Sequence, residues 1–163
     1  MKTIIVMRHA KAETESPTDN DFDRRLKKKG IVAAQFISKT FAEMKIKPDV
    51  IVTSLVVRAL STAQIIAEHF GLQNKMLTKN YLYNRLYTFK EIVEDLIIFQ
   101  NESDTVIIVG HNPSISYLLQ QIDSKSNDVL ATSSAVVFDF EATNWKELHT
   151  SKCVRRCRID KEN

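Results

Sequence analysis

Short, largely apolar runs at residues 3–7, 50–53, 105–109 and 135–140 constrain this chain more than any other feature. Each is too short for a stable helix and rich in β-branched residues. None shows the in-out alternation of a half-exposed strand, so each reads as a strand covered on both faces. Between the runs lie helix-length segments. Residues 26–44 carry Val32, Ala33, Phe36, Ile37, Thr40, Phe41 and Met44 at helical spacing, and residues 58–70 carry Ala59, Thr62, Ala63, Ile66, Ala67 and Phe70. Residues 89–99 repeat the pattern with Ile92, Val93, Leu96 and Phe99, and residues 114–122 with Ile115, Leu118, Leu119 and Ile122. Gly71 stands just past the second segment, where a left-handed residue favourably ends a helix. Strands alternating with helices predict an α/β protein, a three-layer α/β/α sandwich around a central, mostly parallel sheet. Residues 13–23 are acidic and aperiodic and read as a loop after the first strand. The basic stretch 153–158 gives no clear secondary structure.

A chain of 163 residues is enough for one domain, expected to span residues 1–163, with a sizeable core. Lys plus Arg is 23 and Asp plus Glu is 20, a net charge of +3, too mild to argue for nucleic acid or a membrane surface. No apolar run approaches the roughly 18 residues of a membrane span. The apolar stretch at residues 3–7 is too short for a signal peptide. Cys153 and Cys157 read as ordinary thiols, which fits a reducing compartment. A cytoplasmic protein is expected.

The chemistry collects behind the strands. Arg8-His9 closes the first run, Thr53-Ser54 and then Arg58 follow the second, and Gly110-His111-Asn112-Pro113 follow the third, which is itself preceded by the polar residues 101–104. If these strands are parallel neighbours, all three motifs meet at the carboxyl edge of the sheet, where open α/β sheets bind ligands. Arg presents a planar fork of donors that matches phosphate oxygens, and helix N-termini add free N–H groups. A neutral imidazole can attack phosphorus and split one hard step into two, provided its other ring nitrogen donates to a fixed acceptor. Arg8, Arg58 and a cationic His111 then hold the oxygens of the transferring group, so fixed cations do the work often given to a metal ion. Asn112 reads equally well as a pocket donor or as a turn former. His69 and His149 read as surface or structural histidines, Arg24 as a residue flanking the pocket or an ion-pair partner of the acidic loop. Lys27, Lys28 and Lys29 read as a solvated helix face.

Met7-Arg8-His9-Ala10-Lys11, the segment from Thr53 through Arg58 to Ala63, and Val109-Gly110-His111-Asn112-Pro113 together resemble the histidine phosphatase, or phosphoglycerate mutase-like, superfamily. Within it the sequence is most similar to the short SixA-type phosphohistidine phosphatases. It shares with them Ala10 after the first histidine, the segment Asp21-Phe22-Asp23-Arg24-Arg25-Leu26-Lys27-Lys28-Lys29-Gly30, Leu130 to Ala135, and Trp145. The resemblance runs over residues 2–148. It implies a metal-independent phosphatase without an organic cofactor. His9 is then the phosphate-accepting nucleophile, Arg8 and Arg58 bind the phosphoryl group, and His111 is the second pocket histidine. It also implies phosphohistidine on a protein as substrate. A small phosphate ester and a phosphate-binding module without turnover are the alternatives.

One position departs from the wider superfamily. Many members carry a carboxylic acid where this chain reads Leu82-Tyr83-Asn84, and Asn84 cannot donate as an acid. An alkoxide is a poor leaving group without protonation, whereas imidazole leaves more readily, so the substitution fits a phosphoramidate substrate. Glu13, Glu91 and the acids of residues 19–23 remain as other sources of a proton. Little chain is available between Phe70 and Thr105 for a cap, which predicts an open pocket that admits a protein-borne phosphoryl group.

Overall fold

The structure, a computed structural model, describes residues 1–99 and 103–161. Residues 101 and 102 of the polar stretch expected before the third run therefore lie outside the described residues. The strands are β1 (Lys2–Arg8), β2 (Val50–Thr53), β3 (Met76–Thr78), β4 (Thr105–Gly110), β5 (Ala135–Phe140) and β6 (Cys153–Ile159). The helices are α1 (Lys28–Glu43), α2 (Val57–Phe70), α3 (Tyr81–Asn84), α4 (Phe89–Leu96) and α5 (Ser114–Ile122). The strands form one sheet in the order β3-β2-β4-β1-β5-β6. β1, β2, β3 and β4 run parallel to their neighbours within that group, and β5 and β6 are antiparallel additions. The expected α/β class and three-layer, mostly parallel arrangement are what the chain adopts.

Continuous apolar strands are needed because both faces of the sheet are covered. Ile4 and Val6 of β1, Val52 of β2 and Val106 and Ile108 of β4 pack with Ile92, Val93 and Leu96 of α4 and Ile115, Leu118 and Leu119 of α5. The alternate residues Ile5, Met7, Ile51, Ile107 and Val109 pack with Ile37 and Phe41 of α1 and Ala59, Ala63 and Ile66 of α2. Each fully buried side chain of this kind contributes about 1.5–3 kcal/mol of transfer free energy. Both faces of one strand are thus anchored independently.

Several boundaries differ from the sequence expectation. The first helix spans Lys28–Glu43 rather than 26–44, because the chain from Ala12 to Leu26 forms an antiparallel bridge before it turns. The third expected helix ends at Leu96 and continues as one 3-10 turn, Ile97–Phe99. The loop at residues 13–23 carries a 3-10 turn at Asp21–Asp23, capped by Asn20, whose side chain accepts from Phe22 N. Gly71 ends α2 with φ 70, as its position predicts. The basic stretch at 153–158 is β6, and its arginines are paired: Arg155 with Asp139 at 2.6 Å, Arg156 with Asp123 at 3.2 Å and also with Asp128, and Arg158 with Asp160 at 2.9 Å. Among the described residues, no helix is long and apolar enough to cross a membrane.

Candidate active site

Strand register brings the motifs together. Arg8 is paired with Gly110 across β1 and β4, and Thr53 with Val109 across β2 and β4. Arg8-His9, Ser54 and Gly110-His111 therefore leave the sheet side by side. His9 N donates to Gly110 O at 3.1 Å. The antiparallel β5 begins at the same edge, where Arg8 N donates to Ser134 O at 3.1 Å and Ser133 N to His9 O at 3.2 Å.

Arg58 lies in the first turn of α2, and Thr62 locks that helix to the exit of β1. The Thr62 hydroxyl accepts from Ala10 N at 2.9 Å and donates to Arg58 O at 2.7 Å. α1 starts equally close, since a Cβ on Gly30 would stand 2.1 Å from Lys11 O. Only glycine permits that approach of backbone to backbone.

His9 is 7% exposed. Its Nδ1 lies 2.8 Å from Ala10 O, and a carbonyl can only accept, so Nδ1 carries the hydrogen and Nε2 keeps its lone pair. Burial pushes the His9 pKa down to about 4; the Ala10 hydrogen bond opposes this, and the charges of Arg58, Arg8 and Arg24 reinforce it. At neutral pH it is a free base with an unprotonated nitrogen.

His111 faces it, ring centroids 4.9 Å apart. Its Nε2 is 2.7 Å from Ser54 Oγ, while its Nδ1 is buried and has no hydrogen-bond partner among the described residues. Burial, then His9 and Arg58, push the His111 pKa down to about 3. Burial and the surrounding positive charges thus disfavour the cationic His111 of the sequence expectation. Donation from the Ser54 hydroxyl to Nε2 would leave Nδ1–H as the donor directed at a ligand.

The arginines supply the fixed charge. Arg8 Nη1 donates to Leu130 O at 3.0 Å. Arg58, 5% exposed, donates from Nη1 to Asp21 O at 2.8 Å and from Nη2 to Asp21 Oδ2 at 2.9 Å. The Nε atoms of both are buried without a partner among the described residues. The two lie close enough that Arg58, after burial, lowers the Arg8 pKa. Asn112 is engaged elsewhere. Its Nδ2 donates to Leu130 O at 3.0 Å and its Oδ1 accepts from Ser116 Oγ at 2.6 Å. It braces the carbonyl that holds Arg8.

Two contributors were not singled out by sequence reasoning. Tyr83 sets its ring 5.3 Å from the His111 ring and 5.7 Å from the Arg58 guanidinium carbon, and its hydroxyl donates to Asp21 Oδ2 at 2.8 Å. Asp21 also pairs through Oδ1 with Arg24 Nε at 2.8 Å, so Arg24 is an ion-pair partner of the acidic loop. The signal for both lay in the motif segments, masked by more conspicuous neighbours in sequence. Asn84, the residue after Tyr83, lines a recess of about 200 Å³ with Phe22, Leu55, Val56, Asn80 and Tyr83.

Three of the carboxylates that could serve as proton donors are engaged in other contacts. Glu91 caps α4 through Thr88 and pairs with Arg85, and the Arg85 and Thr88 hydrogen bonds push its pKa down to about 2. Burial pulls the Asp21 pKa upward, but the hydrogen bonds from Tyr83 and Arg58 and the charges of Arg58 and Arg24 outweigh it and hold the carboxyl below its ordinary range. Glu13 pairs with Lys27 at 3.5 Å.

The sequence matches the family model of the histidine phosphatase superfamily (branch 1) over residues 4–79. No curated protein matches it. Among solved structures, it is similar to a candidate phosphohistidine phosphatase SixA of Agrobacterium tumefaciens, with 26% identity and a TM-score of 0.73 over 96% of this chain and 97% of that one. A candidate SixA of Nakamurella multipartitia aligns with 20% identity and a TM-score of 0.77 over 98% and 96% of the two chains. The protein histidine phosphatase SixA in complex with tungstate aligns with 17% identity and a TM-score of 0.74 over 94% and 95%. The last two likenesses concern the fold.

Proposed function

We propose that the chain, whose residues 4–79 match the histidine phosphatase superfamily model, is a member of that superfamily and a phosphohistidine phosphatase, a single domain over residues 1–163 working through a phospho-His9 intermediate. The observation that carries this reading is a set of buried nitrogens beside His9, namely Arg8 Nε, Arg58 Nε and His111 Nδ1, without partners among the described residues. Buried donors of this kind cost roughly 1–3 kcal/mol each when unsatisfied, and a phosphoryl group with its charged oxygens satisfies all of them. Around one reactive imidazole, that arrangement binds and positions a group for transfer.

The steps follow from the tautomer. His9 Nε2 attacks phosphorus, and a new N–P bond forms as the P–N bond of the substrate breaks. When the second ring nitrogen of the substrate already carries a proton, its imidazole leaves neutral and takes no proton from the enzyme. Water then attacks phospho-His9, inorganic phosphate departs, and His9 is restored. Arg8, Arg58 and His111 Nδ1–H stabilise the oxygens in both steps, so the reading needs neither a metal ion nor a cofactor.

The chemistry of the leaving group bears on the substrate class. Asn84 is not an acid, Glu91 is committed to a helix cap, and Asp21 is held as a carboxylate. An alkyl phosphate would find no acid among these three to protonate its alkoxide, whereas a phosphoramidate needs less help. The description of the Agrobacterium tumefaciens neighbour as a phosphohistidine phosphatase supports the same choice. The test compares phosphate release from a phosphohistidine-bearing protein and from a panel of phosphorylated metabolites. A kcat/KM at least about a hundredfold higher for the protein is expected, the scale of one general-acid contribution. A clear preference for one metabolite would overturn the substrate class. Tight phosphate binding without turnover of either would favour a binding module.

A further inference from the structure

The phosphatase reading gives Arg58 a phosphoryl group to hold, and resting on that reading we infer that Asp21 is the residue that positions Arg58 for it. Asp21 reaches Arg58 twice, once through its backbone oxygen at 2.8 Å and once through Oδ2 at 2.9 Å. Both contacts fall on the Nη1–Nη2 end of the guanidinium. The opposite edge, Nε–H with the second hydrogen of Nη2, keeps its own parallel pair of donors, and Nε is buried without a partner among the described residues. A planar fork gripped at one end presents the other end at a fixed angle. Asp21 therefore leaves the anion-binding edge of Arg58 available while removing the freedom of the side chain.

Asp21 is itself braced. Tyr83 donates to the same Oδ2 at 2.8 Å, and Arg24 pairs with Oδ1 at 2.8 Å. Its own place is set by the 3-10 turn Asp21–Asp23, fixed by the Asn20 cap. The turn thus converts an acidic loop into a strut between α2 and α3. The contrary expectation is that Asp21 is a competing anion, which a phosphoryl group must displace before Arg58 can act. The two differ in sign, because removing a strut weakens phosphate binding and removing a competitor strengthens it.

The experiment measures inhibition by inorganic phosphate, together with kcat and KM, for wild type, Asp21→Ala, Asp21→Asn, Arg58→Ala and the Asp21→Ala/Arg58→Ala pair. Asp21→Ala is expected to weaken phosphate binding about tenfold, the scale of one charge-assisted hydrogen bond, and to raise KM more than it lowers kcat. Asp21→Asn, which keeps the backbone contact and one acceptor oxygen, is expected to recover part of that loss. On the Arg58→Ala background, Asp21→Ala is expected to change phosphate binding by less than about twofold, because its effect runs through Arg58. Tighter phosphate binding, no change, or an equal loss with and without Arg58 would each overturn the assignment. Should Asp21→Ala not fold, Asp21→Asn measured with and without Arg58 separates strut from competitor by the same change of sign. A wild-type enzyme that neither binds phosphate nor forms phospho-His9 would instead bring down the phosphatase reading itself.

Discussion

In the proposed mechanism the attacking nitrogen of His9 is chosen by one carbonyl. Ala10 O takes the hydrogen of Nδ1, which leaves Nε2 as the base, and burial with three nearby arginines keeps that base unprotonated down to about pH 4. His111 is depressed further, to about 3. Both folded values lie below the ordinary histidine value of about 6.5, so between them the unfolded chain binds protons that the native chain does not. Stability from these two residues is therefore complete above about pH 6.5 and is lost as pH falls. Urea unfolding should show a loss on the order of 2–3 kcal/mol for each histidine by pH 4. The slope should flatten in a His9→Gln/His111→Gln double variant; an unchanged slope would show that the histidines are not held neutral by the fold.

At the scale of elements, the site depends on how closely helix starts approach strand ends. Gly30 lets the first turn of α1 sit on the Lys11 backbone, with no room for a methyl group. Gly30→Ala is therefore expected to cost about 2–3 kcal/mol in denaturant unfolding and to lower activity with it, since the chain that must shift carries His9. A variant as stable and active as wild type would contradict that packing. The same scale explains what the sequence made legible. β1, β2, β4 and β5 were plain because strands buried on both faces must be mostly apolar, and α2 and α5 because each buries one stripe. β3 and α3 were not, since three or four residues carry too little periodicity to stand out. β6 was hidden for another reason: it is an edge strand dense in arginines, of which Arg155 and Arg156 pair with the distant acids Asp139 and Asp123 and Arg158 with nearby Asp160. Charged edges of this kind also discourage pairing with another chain.

Across the whole molecule, the site exists because strands remote in sequence end in one row. Arg8, His9, Arg58 and His111 could be picked out because each closes a strand or opens the helix that follows. Asp21 and Tyr83 could not, because their importance is a matter of side-chain contacts between a loop and a four-residue helix. Asn112 was half legible: its place in the turn is as expected, but its amide turns to Leu130 and Ser116. α4 drives Ile92, Val93 and Leu96 into the core, and α3 contributes Tyr83 to the pocket wall. The proposed substrate is a phosphoryl group carried on a protein surface. The central claim is that this phosphoryl group rests on His9. Enzyme mixed with a radiolabelled phosphohistidine protein, quenched in strong base within the first turnover and digested, should carry label on Nε2 of His9, and His9→Ala should carry none and release no phosphate. Turnover without label on His9, or label on its Nδ1, would contradict the account.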